Sequence, residues 1–358
     1  RLIFGLEQRF ALPGGDELRL VRAQPGGQLR RFTAEFTLVE GGQPQPLLQA
    51  TADGACRIQS GRRIRREGEG RAELQQLDGD LTTLRWTETL EAPWPAGADP
   101  GGPRVALVDS GLAYDLPHFR DRLARDPEGR ALGYDFWDLD PWPYDGDVSR
   151  GAFLPIRHGS AVASLLVREA PEAALLPYRY PRPDMGRMGE LVRHAAAAGA
   201  RILAMPLGSR NPEDWTAFAE ALRAAPQLLA IVSAGNDGRD LDREPLWPAA
   251  LELENMIVVT SADSFGRLAS GSNWGAESVD IMLPAENQAV LDFRGAEGRA
   301  SGSSYAVPRL AALAARLLAA EPGLTSEELK ARIFARAVPS PYEDKVVAVG
   351  WIADPLAP

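Results

Sequence analysis

From residue 104 onward the chain alternates two kinds of apolar stretch, and that alternation limits the fold more than any other feature. Unbroken β-type runs occur at RVALVD (104–109), ALLPYRY (174–180), RILAMPL (201–207), LLAIVSA (228–234) and MIVVTSA (256–262). Helix-like stretches lie between several of them: HGSAVASLLVRE, MGRMGELVRHAAAAGA and DWTAFAEALRAAP. A strand without polar alternation is apolar on both sides and needs cover on both. Such strands separated by helices predict an α/β domain, a doubly wound parallel sheet with helices on each face. Functional groups then collect beyond the carboxyl ends of the strands. The tail LTSEELKARIFARA adds a helix, with Thr325 and Glu328 at capping-box spacing.

Residues 1–91 have another rhythm. DELRLVRAQ, LRRFTAEFTLVE and LTTLRWTETLEA alternate apolar and polar side chains, as half-buried strands do. PGG, EGGQPQP, ADG and LDGD supply turns. No helical period is visible, so a small all-β domain is expected at 1–91. A proline- and glycine-rich linker follows at 92–103 (APWPAGADPGGP), and the α/β domain takes 104–358. The 358 residues exceed what one ordinary core holds, which also favours two domains.

The formal net charge of -10 argues against a nucleic-acid partner. Of 39 basic residues only Lys330 and Lys345 are lysines, and the arginines are spread along the chain. The exception is Arg62-Arg63-Ile64-Arg65-Arg66, readable as a processing site, an anionic contact or a solvated hairpin edge; the last is expected. No apolar run reaches membrane-spanning length. A single cysteine, Cys56, excludes an intrachain disulfide and a cysteine-rich zinc site. The chain starts at Arg1, so a trimmed N-terminal segment is expected, and a secretion signal would have gone with it.

ASGSSYAVPRLAALAARLLAAEP (300–322) places two serines before a long apolar helix. Serine there is either a helix cap or a nucleophile. A serine nucleophile needs a base, usually histidine, held by a carboxylate. The three histidines are His118, His158 and His194. His194 falls mid-helix and reads as a surface or packing residue, and His118 follows a loop. His158 opens a helix after the strand ends, where it is either structural or the base. Asp109 ends a buried strand in VALVDSG; it either caps its own turn or pairs with a histidine, since a buried carboxylate needs a partner. Asn236 in IVSAGNDG either stabilises a turn or donates to an oxyanion.

With these residues in the order Asp, His, Asn, Ser, the chain resembles the subtilisin-like serine proteases (subtilases, peptidase family S8) over roughly 100–358. VALVDSGL, HGSAVASLL, SAGNDG and SGSSYAVPRLAALAA resemble the family's aspartate, histidine, oxyanion-asparagine and serine motifs. GYDFWDLDPWPYDGD, GARILAMPLGS, SNWGAESVDIMLPA and VAVGWIADPLAP add supporting matches. The resemblance implies Ser304 as nucleophile, His158 as general base then acid, Asp109 as its orienting carboxylate, and Asn236 with the Ser304 N–H as oxyanion hole. It implies a substrate pocket from Leu207, Gly208, Ser209, Ala234, Gly235 and Asp237, with Leu246 beside it and an acidic wall favouring a basic side chain. Departures are Ser303 where threonine is usual, Tyr305 for methionine, His-Gly-Ser for His-Gly-Thr, Pro206 for serine, and an apparent insertion at 148–157 (VSRGAFLPIR). Pro308 is placed in the early helix, where a missing N–H costs least.

No cofactor is required for such chemistry, but several subtilases bind calcium. Asp138, Asp140, Asp145 and Asp147 give oxygen-rich spacing that suits a hard cation or a solvated loop. The expected substrate is a peptide or protein and the expected location secreted or periplasmic. Residues 1–91 lack the helices of a usual subtilase propeptide, which favours an accessory β-domain over a prodomain or a partner-binding module. The expected activity is endopeptidase; a dedicated processing protease or peptide macrocyclase, and a silent binding scaffold, are the alternatives.

Overall fold

The computed structural model of the protein describes residues 5–340 and 346–357. Arg1, Lys345 and Pro358 lie outside the described residues. The chain divides into two compact units, Arg1–Pro93 with Asp147–Ile156, and Trp94–Gly146 with Arg157–Pro358. The apparent insertion before His158 thus belongs, but for its last residue, Arg157, with the N-terminal unit.

That unit is a seven-stranded antiparallel meander in chain order: β1 (Gly5–Ala11), β2 (Glu17–Ala23), β3 (Arg31–Glu40), β4 (Gln43–Asp53), β5 (Ile58–Arg66), β6 (Ala72–Asp78) and β7 (Leu84–Glu91). Gly41 and Gly42 join β3 to β4, both at positive φ (58° and 82°), as a two-residue hairpin loop of type I′ demands. Alternation in the sequence signals β2, β3 and β7 and misses the others. In β4, Pro44 and Pro46 obscure the signal; they are tolerated because β5 pairs with β4 only from Leu48 onward. In β5 the arginine run hides a strand. The run divides: Arg62 and Arg63 lie between β4 and β6, where Arg63 bonds Gln75 and Arg62 donates to Gln76 and to the Phe153 carbonyl (2.6 Å), whereas Arg65 and Arg66 run past the last β4 pairing and are exposed, as the solvated hairpin edge expected there would be. The unit's small core buries Ile64 and Leu74 around Phe153, with Leu90 and Ala152 against them.

The second unit carries an eight-stranded sheet from β8 (Arg104–Asp109), β9 (Tyr134–Asp135), β10 (Ala174–Arg179), β11 (Ile202–Met205), β12 (Leu229–Ser233), β13 (Met256–Ala262), β14 (Ile281–Pro284) and β17 (Gly350–Trp351), with a separate hairpin of β15 (Gln288–Leu291) and β16 (Glu297–Ala300). The order is β17-β14-β13-β12-β11-β8-β10-β9 and every pairing is parallel. Its helices are α1 (Pro117–Arg120), α2 (Gly159–Glu169), α3 (Met188–Ala197), α4 (Thr216–Arg223), α5 (Ser303–Ala320) and α6 (Ser326–Phe334). Ala106, Val108, Leu203 and Met205 are buried in one cluster with Leu191, Val192, Phe218 and Leu222 of α3 and α4. The alternate residues Val105, Leu107, Ile202 and Ala204 are equally buried and face the opposite side, where α2 packs on β8 and α5 on β11 to β14. Thr325 and Glu328 close the predicted capping box on α6.

After β8 the chain crosses to β10 on one side and returns to β11 on the other. The strand order reverses at β8, so a crevice opens beyond Asp109 at its carboxyl end. Residues 94–103 are not a free linker. Trp94 stacks on Tyr114 at 4.2 Å, Pro95 accepts from Arg125, and Asp99 accepts from the Arg125 N–H (2.7 Å) and from Arg104.

Candidate active site

Asp109 closes β8 and is buried, and a tight turn follows through Gly111 (φ +101°), where a Cβ would lie 2.4 Å from the Tyr144 carbonyl oxygen. His158 holds the N-cap position of α2 but makes no side-chain cap. Other groups serve the free N–H groups of that helix end. Ser110 Oγ accepts from the N–H of His158 (3.1 Å) and Gly159 (2.9 Å), and Asp145 accepts from the N–H of Ser160 (2.9 Å) and the Ser110 hydroxyl (2.6 Å). A buried carboxylate at a helix N-terminus is favoured by the dipole and by those orphan donors. With capping supplied by Asp145 and Ser110, the imidazole is released to reach Asp109, and His158 Nδ1 sits 2.8 Å from both carboxylate oxygens. Burial alone would lower the pKa of this ring, but the Asp109 charge and hydrogen bond, with the Asp145 charge behind them, raise it above the ordinary 6.5.

On the facing helix, neither serine is the cap. Gly302 holds the N-cap of α5 at φ +121°, and a Cβ there would come 2.9 Å from Asn236 Oδ1. Only glycine allows both that conformation and that approach. Asn236 follows β12 through Gly235 (φ +94°), and its Oδ1 accepts from the Ser303 N–H (2.9 Å) and hydroxyl (3.0 Å). Ser303, fully buried, also bonds Ser233 Oγ at 2.7 Å. With the amide oxygen turned to the helix, the planar amide directs Nδ2 the other way. Ser304 is the second residue of α5 and half-buried; the ring of the next residue, Tyr305, lies 5.9 Å from the His158 ring. Burial and the Asp109 and Asp145 charges push the Tyr305 phenol up to about 12, so it stays neutral. Pro308 is inside α5, beyond the first turn, so the N–H it lacks is the one that would otherwise serve the Ser304 carbonyl. That corrects its expected place.

The segments proposed as a pocket are brought side by side. Leu246 lies against both glycines: a Cβ on Gly208 would stand 3.5 Å from it and one on Gly235 2.8 Å. Ser209 exchanges two backbone hydrogen bonds with Trp247, which occupies the backbone at that position. Ala234 is buried, and its carbonyl accepts from Asn273, whose Oδ1 takes the N–H of Asp237 and Arg239. The half-exposed Asp237 stands 3.9 Å from Arg210, which offsets the acidic wall expected there.

Asp138, Asp140, Asp145 and Asp147 do not fit a calcium cage. Asp138 pairs with Arg179, Asp140 takes the Trp142 N–H, Asp147 takes the Ser149 N–H, and Asp145 caps α2. Among the described residues no three His, Cys, Asp or Glu side chains converge. His194 packs in α3 against the Tyr178 hydroxyl (2.9 Å), and His118 lies in α1. Sequence reasoning missed Ser110, Asp145 as a cap, and Asn273. Asp145 caps from thirteen positions upstream of the histidine, so no local capping pattern betrays it.

The model of the subtilase family matches residues 101–351, most of the 358. The chain belongs to the subtilase family. That family comprises serine proteases, hydrolases acting on peptide bonds. The chain is 28% identical over 257 residues to the thermophilic serine proteinase of Bacillus sp. (strain AK1), covering 67% of this subtilase and 57% of that protein. It is 29% identical over 292 residues to the intracellular serine protease of Paenibacillus polymyxa, covering 75% and 84%. The crystal structure of a cold adapted subtilisin-like serine proteinase shares the fold, at 24% identity and a TM-score of 0.57 over 74% of this chain and 92% of that one. The subtilase thus spans little more than half of the first relative and most of the second. Among the described residues no helix is long and apolar enough to cross a membrane.

Proposed function

We propose that this subtilase is a serine endopeptidase that cleaves peptide bonds through an acyl-enzyme on Ser304. His158 takes the hydroxyl proton as Oγ attacks the carbonyl carbon, then gives it to the leaving amine; a water resolves the ester by the reverse sequence. Asp109 holds the ring in the tautomer with the proton on Nδ1 and stabilises the imidazolium. Asn236 Nδ2 and the Ser304 N–H, at the start of α5, would receive the oxyanion. Leu207, Gly208, Ser209, Ala234, Gly235 and Asp237 would line the substrate cleft. The observation that carries the reading is the Asp109–His158 pair with the first turn of α5 beside it. A fluorophosphonate probe should label the folded protein at Ser304, and Ser304→Ala should abolish labelling. Labelling that survives the substitution would put the nucleophile elsewhere, and a folded parent that does not label would be a silent scaffold; either outcome sinks the mechanism.

Tyr305, bulkier than the usual methionine and placed beside His158, favours one second reading. It is a dedicated processing protease or macrocyclase, in which a peptide amine replaces water in resolving the acyl-enzyme. Product masses separate ring closure from hydrolysis, which adds a water.

The N-terminal meander is read as a permanent accessory domain that can also engage a protein partner. Its core is completed by Phe153, a residue from beyond the linker region, and this supports a retained rather than a discarded segment. Active enzyme should therefore carry the meander in its intact mass. A secreted or periplasmic location remains the companion proposal, checked by fractionating cells that make the full-length product.

A further inference from the structure

Two helices deliver the proposed catalytic side chains from their N-terminal ends: α2 behind His158 and α5 through Ser304. The two helices pack along one another, and a single buried ion pair joins them. Glu169, the last residue of α2, accepts from Arg309 Nε at 2.9 Å and 3.1 Å through its two oxygens. Both side chains are nearly closed to water, at 3% and 10% exposed. Arg309 Nη1 also donates to the Pro284 carbonyl at the end of β14. The next carbonyl, that of Ala285, accepts the Gly302 N–H at the entrance to α5. One guanidinium therefore joins the far end of the histidine helix, the serine helix and the strand end that leads into the Gly302 cap.

This is an expensive arrangement for stability alone. A glutamate in the last turn opposes the helix dipole, and burying a carboxylate and a guanidinium carries a large desolvation cost that their attraction must offset. Apolar side chains of similar volume are often as good or better in such a place. What an ion pair with a planar, five-donor fork adds is register, because its geometry tolerates little sliding. From Glu169 to the start of α2 is roughly 16 Å of rigid helix, and from Arg309 back to Ser304 under two turns. A slip at the lock is thereby passed on to the separation of the two reacting side chains.

We propose that Glu169 and Arg309 are positioning residues that set the register of His158 against Ser304. The inference rests on the serine-protease reading above. The test compares parent, the single variant Arg309→Lys and the double variant Glu169→Leu/Arg309→Met, all in the full chain. The readouts are the second-order rate of fluorophosphonate labelling, kcat and KM on a peptide, and the thermal midpoint. The double variant should hold or raise the midpoint, since no buried charge is left unpaired: Arg168, which loses a 3.5 Å contact to Glu169, is half-exposed and keeps its bond to the Ala289 carbonyl. It should nevertheless label at least about tenfold more slowly, with the loss in kcat and KM unchanged, because small displacements of reacting groups cost rate steeply. Arg309→Lys, which keeps the charge but cannot span both acceptors, should show the same kcat loss, and its result decides the matter if the double variant does not fold. Folded variants that label and turn over as fast as parent overturn the lock while leaving the mechanism intact. A folded parent that does not label at all overturns the mechanism, and the lock with it.

Discussion

His158 Nδ1 lies 2.8 Å from each carboxylate oxygen of Asp109, so the ring nitrogen faces both oxygens of the acid at hydrogen-bonding distance. Burial disfavours imidazolium, but the Asp109 charge and hydrogen bond outweigh it and raise the histidine above 6.5. A general base must be neutral. The acidic limb of kcat/KM is therefore expected above pH 6.5, with activity lost as pH falls through it. Asp109→Asn removes the opposing charge, leaves burial in control and should move that limb below 6.5, while cutting kcat by on the order of 10³ to 10⁴. Stability runs the other way. The raised value means the folded state favours the protonated ring, so this pair stabilises the fold most fully below the unfolded value and the gain is lost as pH rises through the folded one. A limb unmoved in Asp109→Asn would contradict the assignment.

Ser303 is tied to Asn236 and to Ser233, which makes it the holder of the amide rather than a bystander. Ser303→Ala removes the hydroxyl but keeps the Ser303 N–H on Oδ1. Losing a hydrogen bond of about 0.5–1.5 kcal/mol predicts a kcat decrease of roughly two- to thirteenfold with KM unchanged. Ser303→Thr should retain near-parent turnover. Steady-state kinetics on one peptide checks both, and a fall in KM alone would remove Ser303 from this role.

The α/β sheet was legible because its strands are continuous apolar runs: MIVVTSA is β13 to the residue and RVALVD is β8. The meander was half-legible, since Arg62 and Arg63 look as solvated in sequence as the exposed Arg65 and Arg66, and join the sheet interior only when Gln75, Gln76 and the Phe153 carbonyl satisfy them. Motif residues could be picked out because strand ends, helix starts and glycines mark them locally. What joins them could not. Asp145, Ser110 and Asn273 act through hydrogen bonds between segments far apart in sequence, and Glu169 and Arg309 lie 140 positions apart on two largely apolar helices with no local signal that pairs them.

Leu246 fills the space between Gly208 and Gly235, the two positions in the proposed cleft walls where no side chain intrudes. Leu246→Ala enlarges that space. A wider pocket should shift preference toward large aromatic side chains at the cleaved residue, by about tenfold in relative kcat/KM, the scale set by a methylene or two of apolar contact. A panel of peptides differing only at that residue measures it. Asp237, offset by Arg210, should give little preference for a basic side chain until Arg210→Ala removes the offset. Unchanged ranking in Leu246→Ala would place the pocket elsewhere.

Phe153 is 3% exposed among Ile64, Leu74, Leu90 and Ala152, the largest side chain in a core with few members. The loop that carries it is closed at its base by paired backbone bonds between Asp147 and Ile156 and held by Arg62 on the Phe153 carbonyl. Phe153→Ala should destabilise the meander by about 3–5 kcal/mol, a large share of what a unit of that size possesses. Phe153→Leu, which keeps most of the volume, should cost under about 1.5 kcal/mol. Because the sheet and the loop share one core, loosening either should open both. Limited proteolysis of the full-length alanine variant, with Ser304→Ala added to silence self-cleavage, should cut within 147–156 and within the meander together, while residues 157–340 resist. Cleavage confined to one of the two segments would mean that the loop and the sheet do not form a single cooperative unit.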